Sequence, residues 1–367
     1  MIILLTGATG TLGSQVLFSL IEERFSSIEK LYLPVREKKT VSPEKRISNM
    51  LESDFAPSFI KDNLKGILAK IVVIAAKDIL KPEQFLSGKK ISHFIHLAGF
   101  VNLSTRPEAK TEIFKENFEF TKSIFEIYST VIDKFTYIST AFSAGDIGGL
   151  IPNDYLRMEP KSHRNHYEAS KFASEQFLTQ AGAVLNIPVQ ILRPSVLGGN
   201  ISNKPSFFIS KYMVFYLFAK FFHNTTTTDK IRITANSNSG LNIIPTDYAA
   251  KVIVKVFDTT IKQLNIVHSK TTHVTRGVSR ILETVDFENF KLTPHMISAA
   301  TGFESKLEKF YYDTIGVHIT PYLTSKPCEW DTTELERILP IPKYNLEEYL
   351  GSTITFAKAN GFRNQKW

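Results

Sequence analysis

Tyr167 and Lys171 stand four residues apart in the string Tyr167-Glu168-Ala169-Ser170-Lys171. That spacing puts both on one face of a helix. A phenol ordinarily titrates near 10, so it shuttles protons poorly at neutral pH unless a cation is close. Lys171 supplies that cation. The spacing alone is common and reads equally well as an exposed helical pair. Its weight comes from Tyr137-Ile138-Ser139-Thr140-Ala141, an apolar run that ends in two hydroxyls. At the carboxyl edge of a sheet such a hydroxyl can bond a substrate carbonyl. Hydroxyl, phenol and ammonium together bind an oxyanion and donate a proton. The plainer reading of Ser139 and Thr140 is a strand end bonding its own backbone.

A second constellation is Thr6-Gly7-Ala8-Thr9-Gly10-Thr11-Leu12-Gly13, between an apolar run and a helical stretch. This is the setting of a dinucleotide-binding turn. Gly7 permits a tight turn, Gly10 a close approach of backbone to a pyrophosphate, and Gly13 close packing of helix on strand. The helix N-terminus stabilises the negative charge. A bare strand-to-helix turn is the alternative. The next apolar run, Leu31 to Val35, leads into Arg36-Glu37-Lys38-Lys39, with Arg46 following. A carboxylate here would meet unmodified ribose hydroxyls, whereas a guanidinium grips a phosphate through two parallel hydrogen bonds. NADPH is therefore expected over NADH, against the alternative of a solvated basic loop.

These groups need a scaffold. Met1–Leu5, Leu31–Val35, Ile71–Ala75, His93–Leu97, Phe135–Ser139 and Val189–Leu192 read as strands. The stretches 11–23, 107–130 and 166–183 between them read as helices. Such alternation predicts an α/β fold with a doubly wound parallel sheet and ligands at the carboxyl ends of its strands. Past residue 195 the pattern changes. Asn242–Ile244 reads as a short strand and Asp247–Phe257 as a helix, and the remainder reads as a smaller, discontinuous α/β lobe. The expected division is 1–196 with 241–262 for the dinucleotide, and 197–240 with 263–367 for the substrate.

The chain has 367 residues, 43% hydrophobic and 22% charged, which excludes a wholly disordered or collagen-like protein. One cysteine, Cys328, excludes a disulfide framework and fits a reducing compartment, the cytoplasm. No basic-then-apolar leader precedes the first motif, and no long uncharged apolar run suggests a membrane span. The net charge of +8 favours acidic ligands.

At this point the chain resembles the extended short-chain dehydrogenase/reductases. More narrowly it is similar to the branch holding fatty acyl-CoA reductases and the thioester reductase domains of carboxylic acid reductases and of peptide and polyketide assembly lines. The resemblance is carried by the glycine turn, Leu33-Pro34-Val35-Arg36 and Tyr137-Ile138-Ser139-Thr140-Ala141-Phe142. It continues through Asn165-His166-Tyr167-Glu168-Ala169-Ser170-Lys171, Arg193-Pro194-Ser195-Val196-Leu197-Gly198 and Ile244-Pro245-Thr246-Asp247-Tyr248, and covers roughly residues 1 to 260.

The resemblance implies a Rossmann-type fold. It makes Thr140, Tyr167 and Lys171 the catalytic groups. It places Gly7, Thr9, Gly10, Thr11, Leu12, Gly13 and Ser139 at the cofactor, and Arg36 and Arg46 at the 2′-phosphate. Asp78 and Ile79 would meet the adenine, Leu97, Ala98 and Gly99 the adenosine ribose, and Pro194, Ser195 and Val196 the nicotinamide. Three positions depart from the family: Lys77 where Gly is usual, Asn117-Phe118-Glu119-Phe120-Thr121 without its usual Gly, and Asn153 near a position commonly Glu.

The implied activity is NADPH-dependent reduction of an acyl thioester to an aldehyde, which a second hydride could carry on to the alcohol. The implied partner is acyl-CoA or the phosphopantetheine of an acyl carrier protein. Nothing in the sequence points to nucleic acid. A nucleotide-sugar epimerase or dehydratase, or a hydroxy-ketone reductase, shares the same apparatus. A nucleotide-binding scaffold without turnover is the third reading. The segment 206–222 holds six Phe and two Tyr. It reads as a core helix, as an apolar wall for an acyl chain, or as peripheral contact with a membrane surface. His93, His96, His163 and His166 lack a coherent metal spacing, so no metal is expected.

Overall fold

The structure, a computed structural model, describes residues 1–367 except 39, 157, 159–161 and 237. Lys39 of the expected basic loop thus lies outside the described residues. Seven strands form the main sheet: β1 (Ile2–Thr6), β2 (Lys30–Val35), β3 (Ile71–Ala75), β4 (His93–His96), β5 (Phe135–Ile138), β6 (Val189–Pro194) and β7 (Gln263–Ile266). Their order is β7-β6-β5-β4-β1-β2-β3, and every neighbouring pair is parallel. Both faces are covered by helices, which is why the central strand β1 carries an unbroken apolar run, Ile3, Leu4 and Leu5, all fully buried. From β1 the chain winds outward to β3 and then restarts on the other side at β4. The crevice between the ends of β1 and β4 is the switch point where this class of sheet takes ligands.

The helix Thr11–Arg24 begins at Gly10 and is buried from Leu12 through Ile21, packed against Thr246–Val256. The helix His166–Leu185 is capped by Asn165, whose side chain accepts from Glu168 N at 3.0 Å, and ends at Asn186 in a left-handed conformation. That cap fixes Tyr167 and Lys171 in the first two turns.

Two expectations are corrected. The stretch 107–130 is not one α-helix. It runs Pro107–Phe114, loosens into a π-turn over Lys115–Glu119, and resumes at Phe120–Tyr128. A π-turn inserts a residue into the ladder and often marks a functional position. Gln263–Ile266, assigned to the second lobe, is the seventh strand of the main sheet. Its alternation of Gln, Leu, Asn and Ile hides a buried strand, in which the Asn265 side chain is anchored inside, donating from Nδ2 to Pro152 O at 2.9 Å. Leu335, Ile341 and Trp367 also join the first core.

The second core is built on the helices Phe215–His223, Val274–Thr284 and Leu346–Ala359. Tyr212, Phe215, Tyr216, Phe218 and Phe222 are all buried in it. The aromatic segment is therefore core, as its helical spacing allows. The wall that lines open space comes from the other face of that segment.

Candidate active site

The predicted groups converge along the carboxyl edge of the main sheet. The glycine turn follows β1, Arg36 follows β2, and Asp78 and Ile79 follow β3. Leu97–Gly99 follow β4, Ser139 and Thr140 follow β5, and Ser195 and Val196 follow Pro194 of β6.

The glycine turn leaves no room for side chains. Gly7 has φ +74°, and a Cβ on it would lie 2.9 Å from Ala98 N. A Cβ on Gly13 would lie 2.0 Å from Gly7 O, and Gly10 N donates to Gly7 O at 2.8 Å. Thr6 Oγ1 accepts from Leu97 N at 3.1 Å and Ala98 N at 3.0 Å, and meets His96 Nδ1 at 2.9 Å. With two amides on its lone pairs, Thr6 donates its own proton to Nδ1, so Nε2 of His96 carries the hydrogen and donates to Thr121 Oγ1 at 3.1 Å. Burial, aided by Lys171, pushes His96 down to about 3, which keeps it neutral. This staple joins the ends of β1 and β4 under the crevice.

At the outer end, Arg46 is 7% exposed. It donates to Thr9 Oγ1 at 2.9 Å, to Arg36 O at 2.7 Å and to Trp367 O at 3.1 Å. Arg36 and Lys38 are exposed beside it. Burial lowers the Lys211 amine, and the nearby Lys38, Arg46 and Arg36 lower it further. Sequence reasoning missed Lys211, which arrives from the aromatic segment. These four cations surround the turn without an ion pair among the described residues. Asp78 is half-buried at the end of its turn, and Ile79 is buried with its carbonyl accepting from Tyr128 Oη at 2.7 Å. Ser195 is buried with its hydroxyl unpartnered. A glycine cradle, a group of unpaired cations and an orphaned hydroxyl fit a nicotinamide dinucleotide.

Lys171 is buried. Its Nζ donates to Ile138 O at 2.8 Å and lies 4.1 Å from the Tyr137 ring centroid. Burial lowers its pKa to about 7, with Glu175 acting the other way. Tyr167 is half-buried, and burial followed by the Glu168 charge pushes its phenol up, so it keeps its proton. Thr140, 8% exposed, accepts from Phe142 N at 3.3 Å and keeps its own O–H available to donate. Ser139 differs from expectation. Its hydroxyl is already engaged, donating to Glu175 Oε1.

Glu175 was not singled out from sequence, although it continues the Tyr167, Lys171 spacing by one more helical turn. Its Oε1 also accepts from Ser143 Oγ at 2.6 Å, and its Oε2 accepts from Arg193 Nε at 2.9 Å and Nη2 at 2.8 Å. Arg193 and Glu175 are both fully buried. Arg193 also donates to Asn153 O at 2.8 Å and lies 4.1 Å over the Tyr155 ring. An Arg ending an apolar strand was the available signal. Asn117, buried in the π-turn, accepts from Phe100 N at 2.8 Å and donates to Phe100 O at 3.0 Å and Ser170 Oγ at 3.1 Å. It ties the loop after β4 to the helix carrying Tyr167 and Lys171. Among the described residues no group of His, Cys, Asp and Glu could hold a metal ion.

The sequence profile of the male sterility protein family, an NAD-binding family, matches residues 5–253. The chain belongs to the male sterility protein family. The match runs from the glycine turn into the helix Thr246–Val256 and reaches six of the seven strands of the main sheet. Among solved structures, this male sterility family chain is similar to the terminal R domain of the myxalamid PKS-NRPS pathway. That match has 19% identity and TM-score 0.70, covering 100% of this chain and 92% of that one. It is also similar to an archaeal thiolation-reductase di-domain of a non-ribosomal peptide synthetase, with 20% identity and TM-score 0.67 over 98% and 91% of the two chains. A third is UDP-glucuronic acid 4-epimerase from Bacillus cereus in complex with NAD, with 16% identity and TM-score 0.62 over 98% and 97%. No curated protein sequence matches the chain. The fold is that of an extended short-chain dehydrogenase/reductase, and the chain belongs to an NAD-binding family. No helix among the described residues is long and apolar enough to cross a membrane.

Proposed function

We propose that this protein is an NADPH-dependent reductase of acyl thioesters, forming an aldehyde and a free thiol. The observation that carries the reading is the buried Lys171 ammonium, one helical turn after Tyr167, held on Ile138 O at the carboxyl end of β5, two residues before Thr140. The first core would hold the dinucleotide, and the second would cover the acyl group. The bound cofactor supplies the hydride. The glycine turn, Asp78, Leu97–Gly99 and Pro194–Val196 would hold its length. Arg36 and Arg46, with Lys38 and Lys211 beside them, would hold its 2′-phosphate, which supports NADPH over NADH.

Thr140 and Tyr167 donate hydrogen bonds to the thioester carbonyl oxygen, and these strengthen as that oxygen takes negative charge. Tyr167 then gives its proton to the oxygen, and the Lys171 ammonium offsets the phenolate charge. The carbon–sulfur bond of the hemithioacetal breaks. The hydroxyl proton leaves, the carbonyl of the aldehyde forms, and the thiolate takes a proton. The net reaction consumes one hydride and one proton per thioester.

CoA and the phosphopantetheine of an acidic carrier protein both suit the net positive charge. A nucleotide-sugar epimerase would use the same phenol and ammonium. The cluster of unpaired cations around Arg46 favours the NADPH reductase, which must bind and release a phosphorylated cofactor. The test is to offer acyl-CoA and acyl-carrier thioesters with NADPH, reading NADPH loss and thiol release together. Equal amounts of each are expected. Neither signal across acyl chains of different length would overturn the proposal.

A further inference from the structure

A cavity of about 260 Å³ opens beside the carboxyl edge of the sheet. Its wall is aliphatic: Val101 and Leu103 from the loop after β4, Met213 and Leu217 from the aromatic segment, and Ile315 and Ile319 from the second lobe. Among the described residues no Asp, Glu, Lys or Arg lines it. Its polar side chains are each tied to backbone, with Asn102 Oδ1 accepting from Ser104 N at 3.0 Å and His318 Nδ1 lying 3.2 Å from Leu103 O. The rim is apolar too. Val101, Met213 and Leu217 are 40%, 36% and 42% exposed. Phe310, exposed, packs against Phe221 at 5.6 Å, one helical turn beyond Leu217. Single exposed apolar residues are ordinary, but a contiguous apolar rim around an apolar cavity marks a binding site.

The backbone is shaped to make this wall. Val214, which lines the cavity, has φ +51°. A β-branched residue in the left-handed region is a true outlier, and such strain clusters at ligand sites. The kink divides the segment. Phe215, Tyr216 and Phe218 turn into the second core, while Met213 and Leu217 face the cavity.

The cavity wall is tied to the candidate active site on two sides. Phe100, on its wall, follows Gly99 directly and is held through both backbone groups by Asn117, which also holds Ser170 next to Lys171. On the other side, Ile319 and Tyr322 are three apart on the helix Val317–Leu323. Tyr322 packs edge-on against Phe142, two residues past Thr140, at 5.5 Å, and accepts from Asn165 Nδ2 at 2.7 Å.

We infer that this cavity is a subsite for an unbranched alkyl chain, with Met213 and Leu217 setting the length it accepts. The inference rests on the acyl-thioester reading for what the chain is attached to. An apolar cavity of about 150 Å³ takes a benzene ring, so this one holds on the order of eight to ten chain carbons. A longer chain leaves over the rim of Leu217, Phe221 and Phe310.

The test separates the chain from the thioester. The fluorescence of cis-parinaric acid reports occupancy, and straight-chain alcohols of increasing length displace it. In the unaltered protein each added carbon should tighten binding about threefold to fourfold, levelling off at roughly eight to ten carbons. Leu217→Trp and Met213→Trp place an indole in the cavity from exposed positions. Each should weaken the longest alcohols at least about tenfold and shorten the plateau. NADPH binding, read separately, should stay unchanged. Affinity that does not depend on chain length in the unaltered protein would overturn the inference, as would longest-alcohol affinity unchanged in both variants. If alcohols bind as described but no thioester is reduced, the cavity stands and the thioester reading falls. If thioesters are reduced equally at every chain length and in both variants, the cavity inference alone falls.

Discussion

Glu175 follows Lys171 by one helical turn, yet the two share no hydrogen bond. Lys171 donates to Ile138 O at 2.8 Å, while Glu175 is taken up by Arg193, Ser139 and Ser143. The carboxylate therefore acts on the ammonium by charge through the interior, and acts on the fold by anchoring the end of β6 to the helix His166–Leu185. Removing it should uncover both roles.

Glu175→Ala strands a fully buried guanidinium. Loss of one partner from such a pair costs about 3–5 kcal/mol, so the urea midpoint should fall steeply. Ser143→Ala removes one hydroxyl from the same carboxylate and should cost about 1–3 kcal/mol. Equal, small losses for both in denaturant titrations would mean that the Arg193–Glu175 pair is not the anchor.

Lys171 carries a sign that pH can read. Its ammonium titrates at about 7 in the folded chain, against ~10.4 when unfolded. Between those values the unfolded chain binds the extra proton, so this group makes stability rise with pH through that window. The cofactor ribose needs the charged form. NADPH affinity should therefore weaken as pH rises through about 7, and binding above that pH should take up a proton. Lys171→Met should flatten this dependence, as seen in dissociation constants measured across the range.

Arg36 and Arg46 make different predictions. Arg36 is exposed, so Arg36→Ala should weaken NADPH about tenfold to a hundredfold and leave NADH nearly unchanged. Arg46 is built into the turn through Thr9, Arg36 O and Trp367 O. Arg46→Ala should weaken both cofactors and lower the melting temperature. Parallel titrations with NADPH and NADH distinguish the two patterns.

Much of this site was legible because it lies in local strings. The glycine turn, Thr140, and the Tyr167 and Lys171 pair are each fixed by a strand end or a helix cap within a few residues. The supporting shell was not legible, because its contacts are long-range. Glu175 meets Ser139, Ser143 and Arg193 only when β5, β6 and the helix come together. Lys211 reaches the Arg46 cluster from a segment that reads as aromatic core. The π-turn around Asn117 leaves the apolar periodicity of 107–130 almost intact, so nothing in the string announces it. The seventh strand was missed because Asn265 and Gln263 interrupt its apolar run. The aromatic segment was readable as core. Its aliphatic face, which lines the cavity, needed the kink at Val214.

Gly13→Ala tests the cradle with a single methyl. The added carbon would sit 2.0 Å from Gly7 O, backbone that cannot swing aside. The helix Thr11–Arg24 must shift, at a cost of about 1–3 kcal/mol, and dinucleotide binding should be lost while the second core stays folded. Retained binding in a fluorescence titration would show that the turn is looser than its geometry.

The most direct test of the account is single-turnover NADPH oxidation on an acyl thioester, with thiol release read in the same mixing experiment for unaltered protein and Tyr167→Phe. One thiol per NADPH is expected in the unaltered protein. The rate should be about 10² to 10⁴ lower in Tyr167→Phe, with cofactor affinity kept, because only the proton donor is gone. Thr140→Val should slow the step likewise with cofactor affinity kept, and Lys171→Ala should slow it and weaken cofactor binding together. Near-unaltered turnover in Tyr167→Phe, or NADPH oxidation without thiol release, would contradict it.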